Sequence, residues 1–303
     1  MGISMKNVLL TGATGFLGSH ILESLIEHGY APIILLRSSS DTWRIEHLKS
    51  KCEIFFLDEL TDVPLIFEKY NVDSIVNTAT DYGRERSLST ILNTNLLLPL
   101  RLIEEGVKNG VKLFINTDSF FAKEQFNQKY LSNYTTSKKI LAVTLEGVAG
   151  QLPIANVRLE HVFGESDSET KFVTAILKQV LQNKQEVFLS EGTQKRDFIY
   201  VKDVASAFIT LLSTRENLTG YNEFEAGIGE SITVKEFINI MGDISGTKSQ
   251  LLFGAVKRHE GEIEDSFANN KDLLKLGWTP KYSVNEALYN MIQKERKRFI
   301  DGK

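Results

Sequence analysis

The 303-residue sequence predicts an α/β protein, with a doubly wound parallel sheet over residues 1–163 and a smaller mixed α/β C-terminal domain over residues 164–303. Three observations carry that expectation. Short apolar, β-branched runs alternate with stretches of helical period through the first half. A glycine-rich turn follows the first of those runs, and from about Gly164 the cadence loosens into shorter elements. No Pro-rich or Ser-rich linker divides the two regions, so they are expected to interleave, with a cleft between them as the default ligand site.

Taken in order, the first strand is expected at Asn7–Leu10, and the helix after it begins near Phe16 and stops at Gly29, where a left-handed cap is wanted. The second strand is Pro32–Arg37, the third Glu53–Leu57 and the fourth Ser74–Asn77, with helices beginning near Asp41, Asp62 and Ser87. Gly110 ends the last of these. The fifth strand, Leu113–Asn116, leads to a helix near Asn133, and Ile154–Arg158 is the sixth strand. Beyond it come a helix near Lys171–Gln182, a strand near Arg196–Tyr200 and a terminal helix near Val284–Phe299.

Composition removes several functional classes. With 35 basic and 39 acidic residues, no charge excess points to a nucleic-acid partner or a membrane surface. Cys52 is the single cysteine, which excludes an internal disulfide framework and fits a reducing compartment. No His or Cys cluster has ligand spacing, so no metal is expected. The N-terminal residues run into the glycine turn without a signal-like apolar stretch, and no segment reaches the roughly 18 apolar residues of a spanning helix. A cytoplasmic location is expected.

Gly12-Ala13-Thr14-Gly15-Phe16-Leu17-Gly18 is a G-x-x-G-x-x-G turn between the first strand and the first helix. Glycines there allow a tight turn and close backbone approach, so a pyrophosphate can rest on the unpaired amides of the helix N-terminus. The context is that of a Rossmann dinucleotide site, with Gly12, Thr14, Gly15, Phe16, Leu17 and Gly18 as contacts. An NAD site usually has an acidic residue after the second strand, where this chain has Arg37-Ser38-Ser39. These residues suit a ribose phosphate, which favours NADPH and leaves NAD possible, and Arg37 equally suits a solvated strand end. Asp58-Glu59-Leu60 follows the third strand, where a carboxylate serves either the adenine amino group or an ordinary helix start.

Thr117 ends the fifth strand, and Tyr134-Thr135-Thr136-Ser137-Lys138 opens the next helix. A Tyr and a Lys four apart share a helix face, so the ammonium can favour the phenolate and still reach a bound ribose. Tyr134 then moves a proton near neutral pH, with the Thr117 hydroxyl on the same substrate oxygen.

With these residues in place, the chain resembles the extended short-chain dehydrogenase/reductases, the NAD-dependent epimerase/dehydratase family of nucleotide-sugar enzymes. The resemblance covers nearly the whole chain and includes Asn77-Thr78-Ala79-Thr80, Asn95, the stretch 157–164, Arg196-Asp197-Phe198-Ile199-Tyr200-Val201 and Leu276-Gly277-Trp278-Thr279-Pro280. It implies cofactor contacts at Thr78, Ala79, Thr80, Asn95 and Lys138, and catalysis by Thr117, Tyr134 and Lys138. It also implies a nucleotide-sugar substrate near Tyr82, Asp118, Ser119, His161 and Phe172, with Arg196 and Arg258 as phosphate ligands. Either arginine also suits an ion pair. His161 suits a substrate contact or a satisfied neighbour of the site. A homodimer through the helices of residues 87–108 and 133–149 is expected on the same ground.

Departures from the family pattern narrow the activity. Ser119 stands where the family's dehydratases have a Glu beside the Thr and Asp, which disfavours a dehydratase. His161 and Glu165 replace an Asn and a Pro, and His259-Glu260-Gly261-Glu262 replaces the usual Pro-Gly-Asp after Arg258. Residues 116–123, Arg158 to Gly164 and Arg196 to Ile199 resemble those of family reductases, and this resemblance implies reduction of the 4-keto group of a nucleotide-linked (by the same resemblance CDP-linked) 6-deoxy or 3,6-dideoxy hexose. The alternatives are a nucleotide-sugar 4-epimerase that recycles NAD and, from another class, a non-catalytic dinucleotide-binding protein on the same fold.

Overall fold

The computed structural model describes residues 6–83, 86–123, 131–258 and 261–301, so His259, Glu260 and the first five residues lie outside the described residues. The expected doubly wound sheet is present. Its strands are β1 (Asn7–Thr11), β2 (Ala31–Leu36), β3 (Glu53–Phe56), β4 (Ser74–Asn77), β5 (Leu113–Ser119) and β6 (Ile154–Leu159). The helices between them are α1 (Phe16–Glu27), α2 (Val63–Lys69), α3 (Leu88–Leu92), α4 (Leu98–Lys108) and α5 (Ser132–Val148). A seventh strand, given below, completes the order β3-β2-β1-β4-β5-β6 at its far edge, with parallel pairing from β3 through β6. The order reverses between β1 and β4, which is where ligands meet the strand ends in such sheets.

The rest of the chain supplies β7 (His161–Phe163), α6 (Phe172–Leu181), β8 (Glu186–Leu189), β9 (Lys195–Arg196), β10 (Phe198–Tyr200) and α7 (Val201–Ser213). It continues with β11 (Tyr221–Ala226), β12 (Ile232–Thr233), α8 (Val234–Ser245), β13 (Gln250–Phe253), β14 (Asp265–Ser266), α9 (Lys271–Lys275) and α10 (Val284–Arg296). The chain divides into two compact units, the first made of residues 1–159, 205–225 and 271–278 and the second of 160–204, 226–270 and 279–303. In the first unit β11 is the seventh strand, beside β6.

One core of the first unit lies on the sheet face formed by Leu9, Ile33, Ile75, Phe114 and Ile154, which pack with Ile66, Leu102, Leu141 and Leu145 from α2, α4 and α5. These sheet residues are register partners across the strands, so the alternation of a pleated strand aims them all the same way. In the second unit, Phe163, Phe198 and Phe237 pack ring against ring, with Phe198 and Phe237 stacked at 3.8 Å.

Three elements differ from the sequence expectation. No α-helix begins at Asp41. Instead, the Asp41 carboxylate accepts the Trp43 N–H at 3.2 Å, an Asx-type bond that competes with helical pairing, and only a short 3₁₀ run, Glu46–Lys51, follows. The helix expected from Ser87 is interrupted by a π turn at Asn93–Leu97, because Pro99 has no N–H for the Asn95 carbonyl. The strand expected at Arg196–Tyr200 is broken at Asp197, whose carboxylate accepts the N–H groups of Ile228, Gly229 and Ala268. Consequently β9 pairs with β12 and β14, and β10 pairs with β7.

Candidate active site

The glycine turn is built as its spacing requires. Gly12 has φ +70°, and a Cβ there would lie 2.7 Å from the Ala79 N. A Cβ on Gly18 would collide with the Gly12 carbonyl, so the first turn of α1 can close onto the loop only with glycine at both positions. Gly15 caps α1 without a side-chain bond, and the first helical turn, from Phe16 through Gly18, carries no acidic residue. The amides of that turn are therefore left to an external acceptor, which is the arrangement a pyrophosphate needs. Phe16 packs edge-on against His20 at 5.6 Å.

Beside this turn, the loops after β2 and β3 are joined. Ser38 donates its N–H and its hydroxyl to the two oxygens of Asp58, at 2.9 and 2.5 Å, and these bonds hold the Asp58 carboxyl below the usual aspartate range. Arg37, Ser38 and Ser39 are exposed, Glu59 is exposed and Leu60 begins a short 3₁₀ turn. Sequence reasoning passed over Arg44, whose guanidinium donates to the Thr14 carbonyl at 3.2 Å and lies 4.4 Å from the Trp43 ring centroid. Its signal was an aromatic-cation pair in a segment read as helix.

At the end of β4, Thr78 donates its hydroxyl to the Thr11 carbonyl at 2.7 Å, while the N–H groups of Thr78 and Ala79 both reach the Thr11 hydroxyl at 3.1 Å. Asn95 accepts the Asp81 N–H and donates to the Asp81 carbonyl and the Ser137 hydroxyl. Its amide, expected at the cofactor, thus fastens the Asp81-Tyr82-Gly83 loop to α5.

The three catalytic candidates come together. Lys138 donates to the Thr117 carbonyl at 2.6 Å and to the Thr80 hydroxyl at 3.3 Å, and its nitrogen is 5.9 Å from the Tyr134 ring centroid. The Thr117 hydroxyl is buried and has no partner. Tyr82 stacks on Tyr134, with centroids 5.1 Å apart and planes 29° apart.

Electrostatics revises one expectation. Burial, helped by Tyr82, pushes the Tyr134 phenol well above its ordinary value, a hydrogen bond with Ser119 opposes this, and the Asp118 charge adds to it. Burial lowers Lys138 to about 8, and Asp118 works against that fall. The lysine's bonds run to Thr80 and the Thr117 carbonyl, and burial is the largest influence on the phenol. Tyr134 stands as a phenol that still holds its proton.

Of the substrate candidates, Ser119 and Tyr82 face Tyr134, whereas Asp118 is directed elsewhere. Its carboxylate accepts the Asn156 amide at 3.0 Å, the Arg158 Nε at 3.3 Å and the Ser119 N–H at 2.8 Å. Strand alternation puts it on the opposite sheet face from Thr117.

The remaining candidates belong to the second unit. Arg196 and Arg258 meet at one carboxylate, Arg196 with Glu262 Oε1 at 3.1 Å and Arg258 with Oε2 at 3.6 Å, and Arg258 also pairs with Glu264 at 2.9 Å. His161 packs edge-on against Phe198 at 5.6 Å. Burial, with the Arg196 and Lys171 cations, lowers its pKa to about 3, so the imidazole is neutral at physiological pH. Phe172, the first residue of α6, is 45% exposed and free to meet a ring.

Among curated proteins, the chain is 35% identical to CDP-abequose synthase of Salmonella muenchen over 291 residues, covering 95% of this chain and 97% of that one. It is 31% identical to CDP-abequose synthase of Salmonella typhimurium over 296 residues, with the same coverage. Among solved structures it is similar to a UDP-glucose 4-epimerase with UDP-glucose from Thermotoga maritima, with a TM-score of 0.82 and 24% identity over 96% of this chain and 99% of that one. The profile of the NAD dependent epimerase/dehydratase family matches residues 8–227. Fold, glycine turn and sequence likeness agree, and the chain belongs to the NAD dependent epimerase/dehydratase family of enzymes.

Proposed function

We propose that this protein is an NADPH-dependent ketoreductase that reduces the 4-keto group of a CDP-linked 6-deoxy or 3,6-dideoxy hexose. The observation that carries this reading is the burial of the Tyr134 phenol, which raises it above its ordinary value, together with the buried, unpartnered hydroxyl of Thr117. Reduction of a ketone consumes one hydride and one proton. When bound, the dinucleotide supplies the hydride. Tyr134 gives its proton to the ketone oxygen, and the Thr117 hydroxyl donates a hydrogen bond to the charge that develops there.

The residues present suit the dinucleotide. The uncapped first turn of α1 would hold the pyrophosphate, and Arg37 with Ser39 would face a ribose phosphate. Lys138, already between Thr80 and the Thr117 carbonyl, would hold ribose hydroxyls. Arg196 and Arg258 would take the substrate diphosphate in place of Glu262 and Glu264, with Phe172 against the base. Ser119 supplies no second acid for loss of water. The likeness to CDP-abequose synthases over 95% of the chain supports a CDP-linked keto sugar as the class of substrate. In the same reading two copies pair through the helices of residues 87–108 and 133–149, where Leu97, Ile140 and Val143 are exposed apolar residues.

The test follows NADPH oxidation by absorbance with a CDP-linked 4-keto-6-deoxyhexose or its 3-deoxy form, with NADH in a parallel arm. Stoichiometric oxidation is expected, lowered about 100-fold or more in Tyr134→Phe. Cofactor binding without oxidation would overturn the reading and lead to the epimerase assay with NAD.

A further inference from the structure

Two residues beyond Leu9, Ile75, Phe114 and Ile154, the same sheet face stops being apolar. Thr11, Asn77, Asn116 and Asn156 follow one another there as register partners on β1, β4, β5 and β6, each at most 1% exposed. Neighbouring parallel strands are about 4.8 Å apart, a spacing that lets one side-chain amide reach the next. The Thr11 hydroxyl donates to Asn77 at 2.8 Å, Asn77 to Asn116 at 3.0 Å, Asn116 to Asn156 at 2.8 Å, and Asn156 to the Asp118 carboxylate at 3.0 Å.

Every bond in this row points the same way. It begins where the Thr11 hydroxyl accepts the N–H groups of Thr78 and Ala79, at the loop against which the glycine turn packs, and it ends on a carboxylate. Aligned donors polarise one another in a buried setting, and the positive end of the row lies on Asp118. Packing alone does not call for this. An apolar row would continue the core below it with no polar group to satisfy, whereas each amide left unpaired here carries the full desolvation penalty of a buried polar group.

We propose that the row Thr11–Asn77–Asn116–Asn156 is a positioning device that fixes the Asp118 carboxylate as the counter-charge of the Tyr134–Lys138 pair. The proposal rests on the assignment of that pair as the reactive one. Asp118 itself touches neither substrate nor cofactor. Its charge keeps Lys138 an ammonium in a buried place and discourages ionisation of Tyr134, so the pair stays loaded as a proton donor. The charged and titratable groups around Asp118 are Arg158 on β6, Glu223 and Tyr221 on β11, and Tyr134 and Lys138 on α5, with Tyr82 facing Tyr134 from the loop after β4. Arg158 is shared between Asp118 and Glu223, which leaves the Asn156 amide as the row's own hold on the carboxylate.

The experiment is an NMR titration of ¹³C,¹⁵N-lysine-labelled, ligand-free protein, with Lys138→Met to assign the signal. It needs no substrate, so it separates a failure of this inference from a failure of the ketoreductase reading. In the parent protein one lysine is expected to titrate well below the others, at about 8. Asp118→Asn is expected to lower that midpoint by about one pH unit, and Asn116→Leu, which cuts the row and leaves Asp118 in place, by about half a unit. Should Asn116→Leu not fold, Asn116→Ser breaks the same contact with less bulk. No shift in Asp118→Asn, or a shift there without one in the folded Asn116 variant, would overturn the proposal.

Discussion

Gly12 and Gly18 show how a single hydrogen in place of a methyl group holds the site open. Gly18→Ala puts a Cβ against the Gly12 carbonyl, a backbone atom that cannot rotate away. Overpacking of this kind costs about 1–3 kcal/mol, and here the strain falls on the turn proposed to hold the pyrophosphate. Gly18→Ala is therefore expected to lower the melting temperature and to weaken dinucleotide binding by at least tenfold in a fluorescence titration. Unchanged binding in a folded variant would show that the turn does not meet the cofactor. Both glycines were legible in the sequence because their spacing, set between an expected strand and an expected helix, identifies such a turn. The use made of Asp118 and Asn95 was not legible, since a polar residue named by its position gives no sign of which neighbour takes its hydrogen bonds. Asn77 and Asn116 each close an expected strand, and Asn156 lies within one. Their meaning depends on register across four strands, which no local window contains.

Helix α10 illustrates a buried ionic clamp. Glu165, almost fully buried, accepts the Tyr200 hydroxyl at 2.7 Å and Lys294 of α10 at 2.5 Å. Burial pushes its carboxyl up, but the bonds from Lys294 and Tyr200 outweigh that and hold it below its ordinary 4.5. A depressed acid stabilises the fold above its unfolded value, and that contribution is lost as pH falls through the folded value. Lys294→Met should therefore lower the melting temperature most at neutral pH, with the gap to the parent closing below pH 4.5. A gap independent of pH would assign the lysine to packing. Most elements were readable from period and caps, as in α10 itself, where Ser283 and Glu286 form a capping box. The failures have local causes of another kind. Asp41 turns its carboxylate to its own backbone, Pro99 removes one donor, and Asp197 gathers three amides from elsewhere in its unit.

The proposed pairing of two copies makes a further demand on the helices of residues 87–108 and 133–149. Val143 is 72% exposed on a helix whose inner face is already packed, and Leu97 and Ile140 are exposed with it. A lysine at such a position costs a monomer little, but it costs a paired helix face a buried charge. Val143→Lys is expected to halve the mass in light scattering without loss of melting temperature, and an unchanged mass would exclude this face as the contact. The parallel sheet was foreseeable from its repeating cadence, whereas the return of the chain to it was not, because β11 lies far from the other strands in sequence, after the elements of the second unit.

That return governs how the protein can be made. The first unit needs residues 205–225 and 271–278, so its sheet is unfinished when the first 159 residues have left the ribosome. Until β11 is synthesised, β6 is an open edge, the kind of unpaired border on which nascent chains associate. Pairing across this separation closes a loop of more than 50 residues, a slow step relative to the local βα units. Expression of the first 159 residues as a separate piece should thus yield aggregate, with β6 left as its open edge.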